Sequence, residues 1–533
     1  MNALLAIFSG FSAGYPASEL TEPLFEGNNS LNLALERSRL FPGVGKIVVF
    51  TGSADNSSFL IPHSSDPALH IENRPFWTLK TLLETLAVHS EGFDLTYYVW
   101  ADCPFLDPEL AGKIAERHLS YAAEYSYADG WPYGFAPEVL SPGTAAVLAK
   151  ILGDDNSPVK RDSLFSVIQK DINAFDIETE ISPVDLRCHR LNFCADSKRN
   201  MLLLKRFIDV AGNVIPDTSA VERIIAEKPE ILRTLPAFFP VQVFGGCPQS
   251  CSVCPWPKVS KKTVTERRDY MEINVFESLL DKIAAFSGDA VISLSLWGEL
   301  ALHPQKIEFV EAVLRRPELA LVIETSGIGW KKEELERCLD LAGKAAAVIR
   351  NNALPPLSWI VSLDSDDPAR YREIRGAGFA EAKECAKKLF SLFPKDTYVQ
   401  AVRTVGAEDD IEKFYRTWKE TAPNTANIII QKYDDFCGLF EKKQASDLSP
   451  VKREPCWHLM RDMPVYIDGM VPLCREQITS NAAGGADGIT LGNIFSEPLE
   501  VIWERGLKFY AEHCVKKYEN KCAECDEYYT YNF

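Results

Sequence analysis

Apolar and polar positions alternate along this chain in two β/α rhythms followed by a change of character. Over residues 1–210, the short apolar runs ALLAIFSG (3–10), GKIVVFTG (45–52) and FDLTYYVWA (93–101) predict strands buried on both faces. Between them, SLNLALERSRL (30–40) and FWTLKTLLETLAVHS (76–90) repeat apolar residues every three or four positions and predict amphipathic helices. Strands and helices in this order imply an α/β domain with a mostly parallel sheet. Residues 211–237, with the helix-like TSAVERIIAEKPEILRTL, read as a linker.

From residue 238 to 450 a more regular alternation begins. Six candidate strands are FPVQVFG (239–245), AVISLSLWG (290–298), LALVIETSG (319–327), SWIVSLDS (358–365), TYVQAVRT (397–404) and NIIIQKY (427–433). Helical stretches such as FESLLDKIAAF (276–286), KIEFVEAVLRR (306–316) and GFAEAKECAKKLFSLF (378–393) separate them. Six β/α repeats predict a partial (β/α)6 barrel of TIM-like kind, whose chemistry gathers at the C-terminal strand ends. Residues 451–533 form a third region. There MPVYI, the turn Asp468–Gly469 and MVPLC predict a β-hairpin with a type I′ turn, ending on Cys474. A helix over 497–513 follows.

Composition changes this picture little. The 533 residues are 46% hydrophobic and 25% charged, ordinary for a soluble globular protein. A formal charge of −18 argues against a nucleic-acid partner. The basic stretch PKVSKKTVTERR (257–268) is a solvated face, or a rim that attracts an anionic substrate or an acidic electron donor. No run reaches the roughly 18 apolar residues that span a bilayer, and MNALLAIFSG reads as a first strand, not a signal peptide. Fourteen cysteines without a secretion signal imply a reducing compartment, so a cytoplasmic location is expected.

The cysteines carry the chemistry. Cys247, Cys251 and Cys254 lie in FGGCPQSCSVCPWP (244–257), directly after the first strand of the second alternation. Three thiolates at C-x3-C-x2-C can hold three corners of a cubane iron–sulfur cluster and leave one iron open, whereas structural clusters take four cysteines. Zinc sites usually pair two C-x2-C knuckles or add His, and no His is near. A disulfide scaffold suits a small secreted chain.

With these residues in view, the segment 238–450 resembles the radical S-adenosylmethionine (SAM) superfamily. WGE (Trp297, Gly298, Glu299) stands where that family has Gly-Gly-Glu at the methionine amino group, with Trp297 replacing the first glycine. ETSG, with Thr325 and Ser326, ends strand three at the ribose side, and SLDS, with Ser362 and Asp364, ends strand four. DPARYREIRGAGF (367–379) follows, and Val253 stands where an aromatic residue often contacts adenine. The resemblance implies a catalytic [4Fe–4S] cluster that binds SAM and cleaves it to a 5′-deoxyadenosyl radical. That radical abstracts hydrogen from a sugar-like or peptide substrate, with a flavodoxin or ferredoxin-type electron donor.

The tail resembles the SPASM/twitch auxiliary-cluster region. Cys456, Cys474, Cys522 and Cys525 would ligate a second [4Fe–4S] cluster as an electron relay, similar to radical SAM dehydrogenases of aminocyclitols. A structural zinc site is the alternative. Cys514 is either spare, the favoured reading, or an alternative ligand, and Cys103, Cys188, Cys194 and Cys437 lack ligand spacing. Cys338 and Cys385 read as core residues, His303 as a helix-start residue, and His458 as a packing residue or a hydrogen-bonding neighbour of the second cluster.

Residues 1–210 resemble cytidylyltransferases of the acylneuraminate and spore-coat polysaccharide type, on a nucleotide-diphospho-sugar-transferase (GT-A-like) fold. The resemblance rests on ADCPFLDPEL (101–110), WPYGFAPEVLS (131–141) and RLNFCADSKRNMLLLKRFID (190–209). It implies a divalent metal, Mg2+, held by Asp102 and Asp196. The first loop, SGFSAGYPASEL (9–20), lacks the basic residues that grip a triphosphate, which implies a degenerate or substrate-presenting domain. The whole layout resembles the spiro-SPASM family. An active N-terminal nucleotidyltransferase in a bifunctional protein, and a non-catalytic iron–sulfur scaffold, are the rival readings.

Overall fold

A computed structural model describes residues 1–10, 17–52, 67–260, 263–346, 354–446, 449–476, 478, 488–518 and 520–529. The chain divides into two compact units, Met1–Ile231 and Leu232–Phe533. The segment read as a linker contributes a helix, Thr218–Glu227, to the first unit, capped by the Asp217 carboxylate. Arg233 is held within the second.

In the first unit the strands are β1 (Ala3–Ser9), β2 (Val44–Thr51), β3 (Leu69–Asn73), β4 (Leu95–Trp100), β5 (Tyr125–Asp129), β6 (Glu138–Leu140) and β7 (Ile177–Ile181). They form one seven-stranded sheet in the order β3-β2-β1-β4-β6-β5-β7. The pairs β3–β2, β2–β1, β1–β4 and β5–β7 are parallel, and β6 runs antiparallel to both its neighbours. Every residue of β1 and of β4 is buried, as their unbroken apolar runs require. Part of the loop 9–20 lies outside the described residues.

The second unit is built on six parallel strands in sequence order. They are β8 (Phe238–Pro240), β9 (Ala290–Ser293), β10 (Leu319–Thr325), β11 (Leu357–Ser362), β12 (Thr397–Arg403) and β13 (Ile428–Lys432), arranged β13-β12-β11-β10-β9-β8. The expected α/β class with a partial six-stranded barrel therefore holds. Strands β8 and β9 are shorter than the apolar runs that announced them. Beyond Pro240 the chain continues with single bridges, Val241 to Val465 and Phe244 to Tyr270.

Two local expectations are corrected. Gly469 does make the tight turn, at φ 83°, closed by the Gly469 amide on the Tyr466 carbonyl and the Tyr466 amide on the Met470 carbonyl, both at 2.9 Å, but the pairing does not extend further into the segment before it. Instead β14 (Met470–Pro472) pairs antiparallel with β15 (Thr490–Asn493), while Asp462 and Val465 bridge to Phe238 and Val241. The helix expected over 497–513 is two helices, Leu499–Arg505 and Leu507–Cys514, meeting at Gly506. A Cβ on Gly506 would meet the Arg233 guanidinium at 2.6 Å, so the break makes room for a buried cation. Arg233 is 3% exposed, stacks 3.5 Å over Trp503 and donates to the carbonyls of Leu459 and Trp503. Cation–π attraction and carbonyl acceptors satisfy a charge that would otherwise be costly to bury.

One hydrophobic core joins barrel and tail: Phe239, Ile292, Leu321 and Trp359 share it with Cys456, Val465, Leu473 and Trp503. Cys338 and Cys385 lie in that core, as read. His303, 1% exposed, hydrogen-bonds the Met271 carbonyl through Nε2 and accepts the Gln305 amide at Nδ1. Its role is structural. Among the described residues no helix is long and apolar enough to cross a membrane.

Candidate functional site

The cysteine loop is pinned from several sides. The Cys247 amide donates to the Val264 carbonyl, the Cys254 amide to the Cys251 carbonyl, and the Ser252 amide to the Ile374 carbonyl. Trp256 Nε1 donates to the Gly245 carbonyl at 2.9 Å. Gln249 reaches across to the segment after β11, donating to Tyr371 Oη at 2.9 Å and the Ala377 carbonyl at 3.0 Å. Arg375 completes this collar. Its Nε donates to Gln249 Oε1 at 3.2 Å and its Nη1 to Asp364 Oδ2 at 2.6 Å. The segment DPARYREIRGAGF thus clamps the cysteine loop.

Cys247, Cys251, Val253 and Cys254 line a cavity of about 240 Å3 at the strand ends. The same cavity is lined by Gly298, Glu299, Thr325, Ser326, Ser362 and Asp364, so every site residue expected of this region is brought to one place. Glu299 is 3% exposed and saturated. Oε1 accepts from Thr325 Oγ1 (2.7 Å) and the Ala301 amide (3.1 Å), and Oε2 from the Ser326 amide and Oγ, both at 2.7 Å. Burial still raises its carboxyl above the ordinary value, against those bonds. The motifs of strands β9 and β10 are therefore one hydrogen-bonded unit.

Gly298 has no alternative. A Cβ there would lie 1.7 Å from the Phe244 carbonyl oxygen, while the Glu299 amide donates to the Gly246 carbonyl at 2.9 Å. Trp297, just before it, has a left-handed backbone at φ 47°. A non-glycine residue there costs about 1 kcal/mol, and its ring packs edge-on against Phe436, centroids 5.8 Å apart. Asp364, also left-handed at φ 62°, accepts the Val402 amide at 2.9 Å.

Residues that sequence reasoning left out also face this cavity. Glu324 Oε1 accepts from Ser362 Oγ and Gln400 Nε2, both at 2.9 Å. Gln431, Lys432, Asp434, Phe436 and Arg475 add polar and aromatic wall. Glu324 was readable as the acidic interruption of an apolar strand; Arg475 had no such signal.

The donor set fits an iron–sulfur cluster. Burial pushes the Cys247 and Cys254 thiols up, Cys254 to about 12 with Cys251 adding to it. Cys251 is likewise raised by burial, with Arg375 opposing. Three half-buried thiols on one loop, with raised values, would give up their protons together to a bound cation, and soft sulfur donors suit iron.

A second, smaller void is lined by Cys456, Cys474, Cys522 and Cys525, the quartet expected from the tail. Cys437, read from sequence as without ligand spacing, lines it too; Cys514 is not among its lining residues. His458 also borders it, and its Nδ1 lies 2.6 Å from Asp462 Oδ2. Burial opposes the Asp462 charge, but Arg461 and His458 outweigh it and hold the carboxyl at about 2.

In the first unit Asp102 and Asp196 do come together, around a cation the chain supplies itself. Arg161 Nη2 contacts Asp102 Oδ2 and lies 3.1 Å from Asp196 Oδ2, and Nη1 lies 3.2 Å from Asp102 Oδ1. The guanidinium stacks 4.9 Å over Trp100 and 5.2 Å over Tyr133. Asp102 is fully buried, and Asn200 Nδ2 donates to Asp196 Oδ1 at 2.6 Å. Beside them Cys103 and Cys194 stand with sulfurs 3.5 Å apart.

No protein-family model matches the chain. An uncharacterized protein of Treponema pallidum (strain Nichols) is 36% identical over 379 residues, covering 69% of this chain and 98% of that protein. A second uncharacterized protein of the same organism is 36% identical over 61 residues, 11% of this chain and 28% of its own length. Solved structures give distant likenesses. A cytidylyltransferase from Leptospira borgpetersenii has TM-score 0.36 and 14% identity over 43% of this chain and 95% of that one. BtrN in complex with AdoMet and 2-DOIA has TM-score 0.35 and 17% identity over 55% and 92%. Native anSMEcpe with bound AdoMet has TM-score 0.38 and 14% identity over 52% and 84%.

Proposed function

The chain belongs to one family with the uncharacterized Treponema pallidum protein, and from the geometry of its cavity we propose that it is a radical SAM enzyme. The observation that carries this reading is the meeting of three thiols from one loop with the polar strand-end groups around Glu299 in a single cavity. Cys247, Cys251 and Cys254 would hold a [4Fe–4S] cluster, and Gly298, Glu299, Thr325, Ser326, Ser362, Asp364 and Val253 would form the SAM cleft. When bound there, the cluster and SAM would supply reductive cleavage of the sulfonium to a 5′-deoxyadenosyl radical. The protein's own part is positioning and exclusion of water. The collar of Gln249, Tyr371 and Arg375 fixes the loop, and the Glu299–Ser326 bonds fix the opposite wall.

The hydrogen-bonding wall of Glu324, Gln400, Gln431 and Lys432 suits a sugar-like or peptide substrate. Cys456, Cys474, Cys522 and Cys525 would hold an auxiliary [4Fe–4S] cluster that accepts the electron left after hydrogen abstraction and deprotonation. A flavodoxin or ferredoxin-type donor in the cytoplasm would supply the reducing electron. The N-terminal unit is read as a degenerate relative of the nucleotidyltransferases, because Arg161 already neutralises Asp102 and Asp196 where Mg2+ would stand.

Anaerobic reconstitution, reduction and addition of SAM should release 5′-deoxyadenosine, and Cys251→Ala should abolish that release. Deuterium from a true substrate should appear in the nucleoside. A reconstituted chain that carries a cluster on this loop yet never cleaves SAM would end this reading.

A further inference from the structure

The barrel interior holds a second chamber. It measures about 320 Å3 and shares Glu324, Gln400, Gln431 and Arg475 with the cavity at the cysteine loop, so the two adjoin along that wall. The strands dictate its lining. Side chains two residues apart share one face of a strand. On three strands the inward pair reads apolar, then polar: Val322 and Glu324 on β10, Ile360 and Ser362 on β11, Ile429 and Gln431 on β13. Val322, Ile360 and Ile429 line the second chamber but not the first, whereas Ser362 lines only the first and Glu324 and Gln431 line both. The polar layer therefore lies toward the cysteine loop and the apolar layer behind it.

The apolar layer is a hydrophobic cluster of its own, with Val291 and Tyr398 packed against it. The alternate residues of the same strands, such as Ile323 and Val361, belong to the main core on the other face of the sheet. A closed barrel fills its interior with layers of its own side chains. Here the polar layer is bonded within itself, Gln400 Nε2 reaching both Glu324 Oε1 at 2.9 Å and Ser362 Oγ at 3.3 Å. Among the described residues no side chain fills the space beside the apolar layer. Apolar atoms that face a void lack dispersion partners there, and an entering apolar group would restore them. Charges on the remaining wall are already matched: Arg461 with Asp462 (2.7 Å), Lys432 with Glu527 (3.0 Å) and Arg475 with Glu476 (2.6 Å). Matched pairs exert little pull on an ionic ligand.

We propose that this chamber binds an uncharged apolar group of the substrate, aliphatic or aromatic, against Val322, Ile360 and Ile429. The substrate's hydrogen-bonding part then meets the Glu324–Gln400 layer, toward the cysteine loop. This deepens the radical SAM reading and rests on it, and it selects an amphipathic molecule over a polyhydroxylated sugar. The apolar group is the side chain of a peptide or the hydrocarbon part of a smaller molecule.

The test titrates the anaerobically reconstituted full chain, without SAM or reductant, with toluene, N-acetylleucinamide, N-acetylglycinamide and glucose. Affinity is read from the rise in melting temperature with probe concentration. Toluene and N-acetylleucinamide should each bind at least tenfold more tightly than N-acetylglycinamide or glucose. Val322→Phe, which fills the chamber, and Ile429→Gln, which makes its apolar layer polar, should each weaken that binding at least tenfold. The second variant decides the matter if the first does not fold. Neither residue lines the cavity at the cysteine loop, so both variants should still release 5′-deoxyadenosine from SAM in the absence of substrate. Binding of toluene without the amide also supports the chamber and assigns its occupant to a molecule that is not a peptide. Glucose binding as tightly as the apolar probes, no binding of either apolar probe, or binding unchanged in both variants overturns the proposal. A parent chain that binds the apolar probes yet releases no 5′-deoxyadenosine ends the radical SAM reading and leaves the chamber standing.

Discussion

Two sites in this chain gather groups that bind cations, and they differ in who supplies the charge. In the first unit the carboxylates of Asp102 and Asp196 are closed around the guanidinium of Arg161, which is further sandwiched by Trp100 and Tyr133. In the second unit Cys247, Cys251 and Cys254 face a cavity, with their charged forms disfavoured by burial. The first site is satisfied within the fold; burial keeps the thiols of the second protonated, and they would ionise on binding a cation. A ligand set read from sequence says where a cation belongs but not whether the chain already carries it.

The largest break in this comparison should come from Gly298→Ala. Its Cβ would collide with the Phe244 carbonyl and push the strand-end wall from the cysteine loop. A displacement of about 1 Å costs on the order of 100-fold in rate, so on the proposed radical SAM reading release of 5′-deoxyadenosine should fall by at least that factor, while the iron that the thiols would hold changes less. Next, Arg161→Ala should convert the closed site into an open one. Removing the guanidinium from beside the buried Asp102 carboxylate should lower stability by about 3 kcal/mol, and Mn2+ should then raise the melting temperature of the variant but not of the parent. A parent that is stabilised equally by Mn2+ would erase the distinction between the two sites.

The last prediction concerns pH and one histidine of the first unit. His118 is 1% exposed between Ser126 Oγ (2.8 Å) and Ser141 Oγ (3.0 Å), and burial lowers its imidazole to about 4. A depressed value means the folded form holds neutral His118, so its stability is complete above the ordinary value near 6.5 and drains away as pH falls toward 4. Denaturant titrations at pH 7.5 and 4.5 should differ by up to about 3 kcal/mol from this group, and His118→Gln should shrink that difference. Identical pH dependence in the variant would show that other groups govern it.

What the sequence revealed was what local chemistry can encode. The strands β1, β4 and β10 were legible because their apolar runs are continuous, and the cysteine loop because three ligands share eight residues. The Asp468–Gly469 turn was legible, but its hairpin stops at Tyr466–Met470, since Met470–Pro472 pairs onward with a strand some twenty residues later. Cys437 was missed because its partner thiols lie elsewhere in the chain and its loop turns by left-handed steps that no short motif marks. Arg161 was missed for the same reason: it meets Asp102 from 59 residues away, and only the folded sheet brings them together. Tertiary pairing outweighed local propensity in each instance.

The clamp on the cysteine loop has a bearing on how the protein matures. The three thiols leave the ribosome almost together, yet Gln249 must wait for Tyr371, 122 residues downstream, before its grip exists. Contacts that distant form late, after the intervening chain has closed its loops. Delivery of the proposed cluster to this site should therefore follow assembly of the barrel rather than guide it, and a nascent chain halted before Tyr371 would expose its sulfurs to oxidation without the Gln249 clamp.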